Sequence, residues 1–325
     1  MPLTQQEISI ITDAMMKASQ ATLIVRERGM KDASWSKEDK TPVTIADLAS
    51  QAILLHEVAR IRPADRVHAE EEAETVMEEA KAQPVRDIVE EVLGTSISLG
   101  ELRDRIQYRG EGTSGASWFI DPIDGTKGYV AGLFYAVACG RAINGKLSEG
   151  WMGVPSGDER MKTITGKLFF AQSGNGIKRW NIADGAEEVF SASPAPSLEE
   201  GGRLAVIGSR AHDKIDTPEG VNTDKWQVEL LPMDSMAKYA ALASGAAELY
   251  PRNPSPKFGA QYYWDHAAGA LLVEEAGGKI TDLEGKPIDW TCGDRMTANE
   301  GIFATRSPEL HAHFQPIFDR HRLKK

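Results

Sequence analysis

The stretch Asp121-Pro122-Ile123-Asp124-Gly125-Thr126-Lys127-Gly128 sets two carboxylates, a proline, two glycines and a hydroxyl directly after the apolar run Ser117-Trp118-Phe119-Ile120. The pattern reads as a buried strand entering a Pro/Gly-rich turn. Such a turn can aim Asp121, Asp124 and the Ile123 carbonyl oxygen at one point. Hard oxygen donors at that density suit Mg²⁺, which keeps octahedral positions for water and phosphate. In isolation, an acidic turn of this kind more often caps its own backbone. The rest of the chain decides between the two readings.

Further carboxylates sit at similar junctions. Asp47 lies at the start of a predicted helix, IADLASQAILLHEVARI, behind Pro42, which disfavours helix at Thr41. Thr44 and Asp47 have the spacing of a capping box. Glu70 and Glu71 follow Arg66-Val67-His68-Ala69, which reads as a strand end, and Asp265 opens a helix in Trp264-Asp265-His266-Ala267-Ala268-Gly269. Each has a structural alternative: a helix cap, a solvated acidic face, another cap. Trp118 and Trp264, beside these motifs, read as core.

Outward from these motifs, the chain begins with an apolar stripe at Ile8, Ile11, Met15, Ala18 and Val25, which predicts a helix. Residues 70–105 are acidic and predicted helical, broken at Pro84. FYAVACGRAI and LSEGWMGV meet at Asn144-Gly145, a strong hairpin signal. LFFAQSG, GIKRWN and AEEVF continue as short strands. SASPAPSLEEGG, at 191–202, reads as a linker. Beyond it, LAVIGS, KWQVELLP, AELYP and GIFAT read as strands. Asp234 is the expected cap of a helix at SMAKYAALASG, DHAAGALLVEEAGG is a helix closed by Gly277-Gly278, KITDLEGKPIDW is a hairpin, and a last helix starts at Ser307. The expectation is an antiparallel-rich α+β domain over 1–200 and an α/β domain over 201–325.

The bulk numbers agree with a folded protein. The chain has 325 residues, 41% hydrophobic and 26% charged, with net charge −11. That acidity argues against nucleic acid or an anionic membrane as partner. It leaves room for a small anion held by bound cations. Cys139 and Cys292 form no zinc pattern, and a reducing compartment is expected. MPLTQQEISI shows no secretory signal, and no run reaches the about 20 apolar residues of a membrane span. A cytoplasmic monomer is expected.

Taken together, TPVTIADLASQ, AEEE, DPIDGTKGY and WDHAAG, in that order, resemble the inositol monophosphatase superfamily of lithium-sensitive, Mg²⁺-dependent phosphatases. Lys127-Gly128 and His266 are closer to its 3′(2′),5′-bisphosphate nucleotidases. The resemblance runs from about Ile8 to the end. It implies a layered αβαβα sandwich, with an antiparallel sheet in the first half and a mixed sheet in the second. It implies one Mg²⁺ on Glu70, Asp121 and the Ile123 carbonyl, and a second on Asp121, Asp124 and Asp265. A third, looser ion would lie near Glu70 and Asp47. Asp47 and Thr126 would handle the proton of the attacking water, with no covalent intermediate.

The second half offers residues for the rest of the substrate. Gly208-Ser209-Arg210-Ala211-His212 reads as a strand end opening a helix, a geometry that offers N–H groups to phosphate. Ser235 and Lys238 are spaced to share a helical face, and Arg252 follows a strand. The resemblance implies nucleotide contacts at Thr126, Ser209, His212, Ser235, Lys238 and Arg252. It departs at Tyr129, where relatives carry Phe, and before Trp264, where relatives carry a basic residue and this chain has Ala260-Gln261-Tyr262-Tyr263. Three functions are weighed. The first removes the 3′-phosphate of adenosine 3′,5′-bisphosphate, and also acts on the sulfated form. The second is an inositol mono- or polyphosphate phosphatase. The third, a metal- and nucleotide-binding sensor, has no need of the Asp47/Thr126 pair.

Overall fold

Thr4 starts the first helix, α1 (Gln5–Glu27): its hydroxyl accepts from the Glu7 N–H, and Glu7 Oε2 accepts from the Thr4 N–H at 2.7 Å. This capping box went unread in the sequence. Ile8, Ile11, Met15, Ala18 and Val25 are buried, as their spacing predicts. The computed structural model describes residues 1–30, 34–36, 42–76, 78–158, 161–208, 221, 224–254 and 259–322.

A small ribbon, β1 (Ser34–Ser36) with β2 (Pro42–Thr44), leads into α2 (Ile45–Ile61). Thr44 and Asp47 form the expected capping box. After α2 come β3 (Arg66–Ala69), α3 (Glu79–Leu93) and α4 (Leu99–Gln107). Pro84 does not break the acidic segment. It lies inside α3, forfeiting one backbone bond, while Ala82, Val85, Ile88 and Val89 bury a stripe that holds the helix together across it. The break falls at Gly94, whose φ of 66° is the left-handed conformation glycine adopts freely.

The first sheet has the order β3-β4-β5-β6-β7-β8-β9, adding β4 (Ala116–Asp124), β5 (Ala136–Ile143), β6 (Lys146–Val154), β7 (Lys167–Gln172), β8 (Gly176–Asn181) and β9 (Glu187–Glu188). It is antiparallel except for β3 and β4, which run parallel because two helices intervene. Asn144 and Gly145, both at positive φ, make the β5–β6 turn.

Beyond residues 191–201 lies the mixed five-stranded sheet, order β11-β10-β12-β14-β13. Its strands are β10 (Gly202–Gly208), β11 (Trp226–Pro232), β12 (Leu249–Arg252), β13 (Lys279–Thr281) and β14 (Ile302–Thr305). The predicted hairpin at KITDLEGKPIDW is not one. Asp282 takes Lys286 and Gly285 into a turn, and β13 pairs with β14 instead. The predicted linker is fastened: Arg306 donates to the Ser193 and Pro194 carbonyls and pairs with Glu248.

Three more helices complete the layers: α6 (Ala237–Ala243), α7 (Ala267–Glu275) and α8 (Pro308–Arg322). The order is α1/α2, first sheet, α6/α7, second sheet, α8: the expected αβαβα sandwich. One core, with Phe119, Ala138 and Phe169 on one side and Tyr239, Leu271 and Ala304 on the other, joins the two halves. Among the described residues, no helix is long and apolar enough to cross a membrane.

Glycine lets α7 lie close to the first sheet. Gly140 and Gly150 are direct cross-strand partners. A Cβ on Gly140 would sit 2.8 Å from Ala267 Cβ and 2.9 Å from the Ala268 nitrogen. On the far side, a Cβ on Gly269 would overlap the Tyr239 ring. Asp265 and His266 precede α7, so this seat sets where they stand. Gly140→Val should destabilise the protein by about 1–3 kcal/mol by overpacking. Urea unfolding measures it, and an unchanged midpoint would show that α7 does not rest on the sheet there.

Candidate active site

The site gathers where β4 leaves the sheet. The β4–β5 register shifts between Asp121 and Asp124, so Pro122 and Ile123 bulge. Gly125, at φ 91°, then turns the chain into the short helix α5 (Thr126–Val130). A Cβ on Gly125 would lie 2.9 Å from Ser235 Cβ. Glycine is needed there for both conformation and space.

One carboxylate oxygen each from Asp121, Asp124 and Asp265 lies within 4.8 Å of the others. Burial raises Asp121 well above the usual carboxylate range, and the charges of Glu70, Asp124 and Asp265 push it further. Burial also raises Asp124, against the opposing pull of Lys238 and Arg252. Asp265 is pushed up to about 7, by burial first, with Arg252 opposing. Like charges crowded out of water favour protonation unless a cation joins them. Asp121 Oδ1 is buried with no hydrogen-bond partner among the described residues. An orphaned carboxylate oxygen inside an all-oxygen donor set fits a hard divalent cation. Glu70 follows β3; its N–H donates to the Ile120 carbonyl at 3.2 Å, and its carboxyl faces Asp121.

Asp47 serves two structures at once. Its Oδ2 accepts from the Thr44 N–H at 2.8 Å, which is the capping role. Its Oδ1 accepts from Thr126 Oγ1 at 3.2 Å, while the Ile123 carbonyl lies 3.3 Å from the same hydroxyl. The Thr126 proton is thus directed at Asp47 and Ile123, and its oxygen lone pairs remain to accept. Asp47 thus takes part in the cap of α2 and also stands beside the turn that leaves β4.

The second half reaches the same point. The Met236 N–H donates to Asp124 Oδ2. Asp234 does not cap α6: the Ala237 N–H donates to Ser235 Oγ, and Ser235 sits before the helix at φ 71°. Ser235 and Lys238 therefore do not share a helical face, yet both adjoin the metal loop. Lys238 is buried, its ammonium 5.4 Å from the Tyr250 ring centre, and its charge acts on Asp124 and Asp265. Arg252 Nη2 lies 3.4 Å from Asp265 Oδ2. Ser209 and His212 lie outside the described residues. His266 is buried, with Nδ1 2.6 Å from the Tyr239 hydroxyl. Trp118 and Trp264 are core residues; Trp264 stacks on Tyr262 at 4.4 Å.

Sequence reasoning missed two supports on α2. Ser50 Oγ donates to the Pro122 carbonyl at 3.0 Å, and the Gln51 amide binds the Glu71 backbone. The available signal was two polar residues, three and four positions after Asp47, in the otherwise apolar stretch Ile45–Leu55 of the helix.

The model of the inositol monophosphatase family matches residues 4–322, and the chain belongs to that family. It is 32% identical over 305 residues to the 3′(2′),5′-bisphosphate nucleotidase of Emericella nidulans, across 83% of this chain and 85% of that one. It is 30% identical to the probable 3′(2′),5′-bisphosphate nucleotidase 4 of Arabidopsis thaliana, across 92% and 90% of the two chains. Among solved structures, the inositol monophosphatase of Anabaena (Nostoc) sp. PCC 7120 superimposes with a TM-score of 0.58 at 22% identity, over 98% of this chain and 96% of that one. An inositol monophosphatase of Thermotoga maritima gives 0.61 at 18% identity, over 99% of each.

Proposed function

We propose that this chain removes the 3′-phosphate of adenosine 3′,5′-bisphosphate, giving AMP and phosphate, and treats the 5′-phosphosulfate form likewise. The observation that carries the reading is the meeting of two cations, Lys238 and Arg252, with the carboxylate cluster. A substrate with a second phosphate near the scissile one needs such charges beside the metal ligands. The likeness to bisphosphate nucleotidases supports it. The enzyme is read as a cytoplasmic monomer, with residues 1–200 supplying most metal ligands and 201–325 supplying Asp265 and the nucleotide contacts.

Glu70, Asp121, the Ile123 carbonyl, Asp124 and Asp265 would hold two to three Mg²⁺. When bound, Mg²⁺ would neutralise phosphoryl oxygens and lower the pKa of a water, so that its hydroxide attacks phosphorus in line. Asp47 would take up the proton of the attacking water through the Thr126 hydroxyl. Thr126 orients it with the hydroxyl that Asp47 and Ile123 fix. Ser235, Lys238 and Arg252, with Ser209 and His212, would hold the nucleotide.

Phosphate release from adenosine 3′,5′-bisphosphate, inositol 1-phosphate and inositol 1,4-bisphosphate tests the assignment. The adenosine compound should give the highest kcat/KM by an order of magnitude or more. Faster turnover of either inositol phosphate would replace this reading with the inositol phosphatase one. Activity should require Mg²⁺, because the cluster offers carboxylates without His or Cys. It should also fall with Li⁺, as the family resemblance implies. Full turnover in excess chelator would exclude the metal mechanism.

A further inference from the structure

Metal ligands hold their geometry only if the backbone beneath them is held. Glu70 stands in a turn with no regular structure after it, between β3 and a single 3₁₀ turn at Ala73–Val76. On its N-terminal side the main chain of β4 fixes it, through the Ile120 carbonyl. On its C-terminal side the support is a side chain. Gln51 is fully buried on α2. Its Nε2 donates to the Glu71 carbonyl at 2.6 Å and to the Ile106 carbonyl at 2.9 Å, and its Oε1 accepts from the Glu71 N–H at 2.9 Å. The primary amide thus pairs with both backbone groups of Glu71, as a strand would. Arg109 Nη2 adds a bond to the same carbonyl at 2.7 Å from the other side.

The same helix holds the other parts of the site. Asp47 receives Thr126, Ser50 holds the Pro122 carbonyl, and Gln51 holds Glu71. Asp47 and Gln51 are one turn apart, so one face of α2 carries three supports. We propose that Gln51 is a positioning residue for the metal centre. By clasping the Glu71 backbone it fixes the Glu70 carboxylate beside Asp121, and it ties that ligand to the helix that carries Asp47. Buried amides at both ends of such a clasp leave orphaned partners when one is removed, which explains why an apolar residue does not serve there.

The inference rests on the metal-site reading above, so its test reads metal binding without substrate. Mn²⁺ is titrated into the metal-free protein and free ion is followed by its electron paramagnetic resonance signal. Gln51→Met keeps the volume and removes the clasp. It should weaken Mn²⁺ binding by about 10- to 100-fold, with kcat recovering as metal is raised. Gln51 as mere structural support would lower the melting temperature and leave the Mn²⁺ affinity at the wild-type value, and that result overturns the proposal. If Gln51→Met does not fold, Arg109→Met decides. It removes the Arg109 bond to the Glu71 carbonyl, together with those to Ile106 and Tyr108 and the pair with Glu72; a several-fold loss of Mn²⁺ affinity supports the proposal, and an unchanged affinity overturns it. Wild-type protein that binds Mn²⁺ but hydrolyses no bisphosphate would refute the substrate assignment and leave this inference standing.

Discussion

Asp121→Asn and Asp265→Asn should each reduce turnover by on the order of 10³-fold or more, the several kcal/mol of charge stabilisation lost with a metal ligand. Both should remain folded. Asp121 has an oxygen without a hydrogen-bond partner among the described residues, and Asp265 lies just before α7, so neither carries the core. Near-normal turnover by either variant at saturating Mg²⁺ would remove that residue from the ligand set. The metal-free proteins offer a second readout with a defined sign. In the fold, Asp265 protonates near pH 7; in the unfolded chain it waits until about pH 4. The folded state binds the extra proton between those values, so metal-free stability rises as pH falls from 7 toward 4 and is lowest above 7. At pH 8 metal-free Asp265→Asn should therefore exceed wild type by up to a few kcal/mol in chemical denaturation, a gap that narrows as the pH falls toward 4. A gap independent of pH would mean that Asp265 is not strained by burial.

Lys238→Ala should cost roughly 30- to 150-fold in kcat/KM for adenosine 3′,5′-bisphosphate. A cation paired with a partly desolvated phosphate contributes on the order of 2–3 kcal/mol, and each ~1.4 kcal/mol is tenfold. For 3′-AMP, with one phosphate, the loss should be small, because binding energy from the non-reacting end is what the variant removes. The structure adds a check that the sequence could not supply. Lys238 pulls Asp124 and Asp265 down toward ionisation. Its removal takes a positive charge away from the cluster and with it the repulsion on a second cation, so Mg²⁺ affinity should hold or increase. Equal losses on both substrates together with weaker Mg²⁺ binding would make Lys238 a support of the metal site and would return weight to an inositol phosphate substrate.

Much of this was legible because the signals are local. The capping box at Thr44 and Asp47, the Asn144-Gly145 turn and the stripe of α1 each depend on residues within a turn or two of one another. Where the sequence misled, a longer-range term decided. Pro84 costs α3 one hydrogen bond, but a buried stripe outweighs it. KITDLEGKPIDW has hairpin spacing, yet β13 pairs with the distant β14 and not with the segment after its own turn. Asp234 is a good cap by type, but the residue that precedes α6 is Met236, whose N–H donates to Asp124 across the halves, while Ser235, at positive φ, accepts from the Ala237 N–H.

The sequence by itself determined the strands and helices, through their periodicities, and, through its resemblance to a known family, the αβαβα layering; it also marked the candidate ligands Asp121, Ile123 and Asp124, which lie within one turn and are placed together by local backbone geometry. Only the tertiary structure decided which distant groups join them. Gly140 and Gly150 let α7 sit close enough to bring Asp265 to Asp121; Met236 locks the second half onto Asp124; and Lys238 and Arg252 come to the edge of the cluster. The Gln51 clasp on Glu71 belongs to the same class. Such contacts join residues far apart in the chain, and their pairing is fixed by packing across layers, which no local spacing encodes.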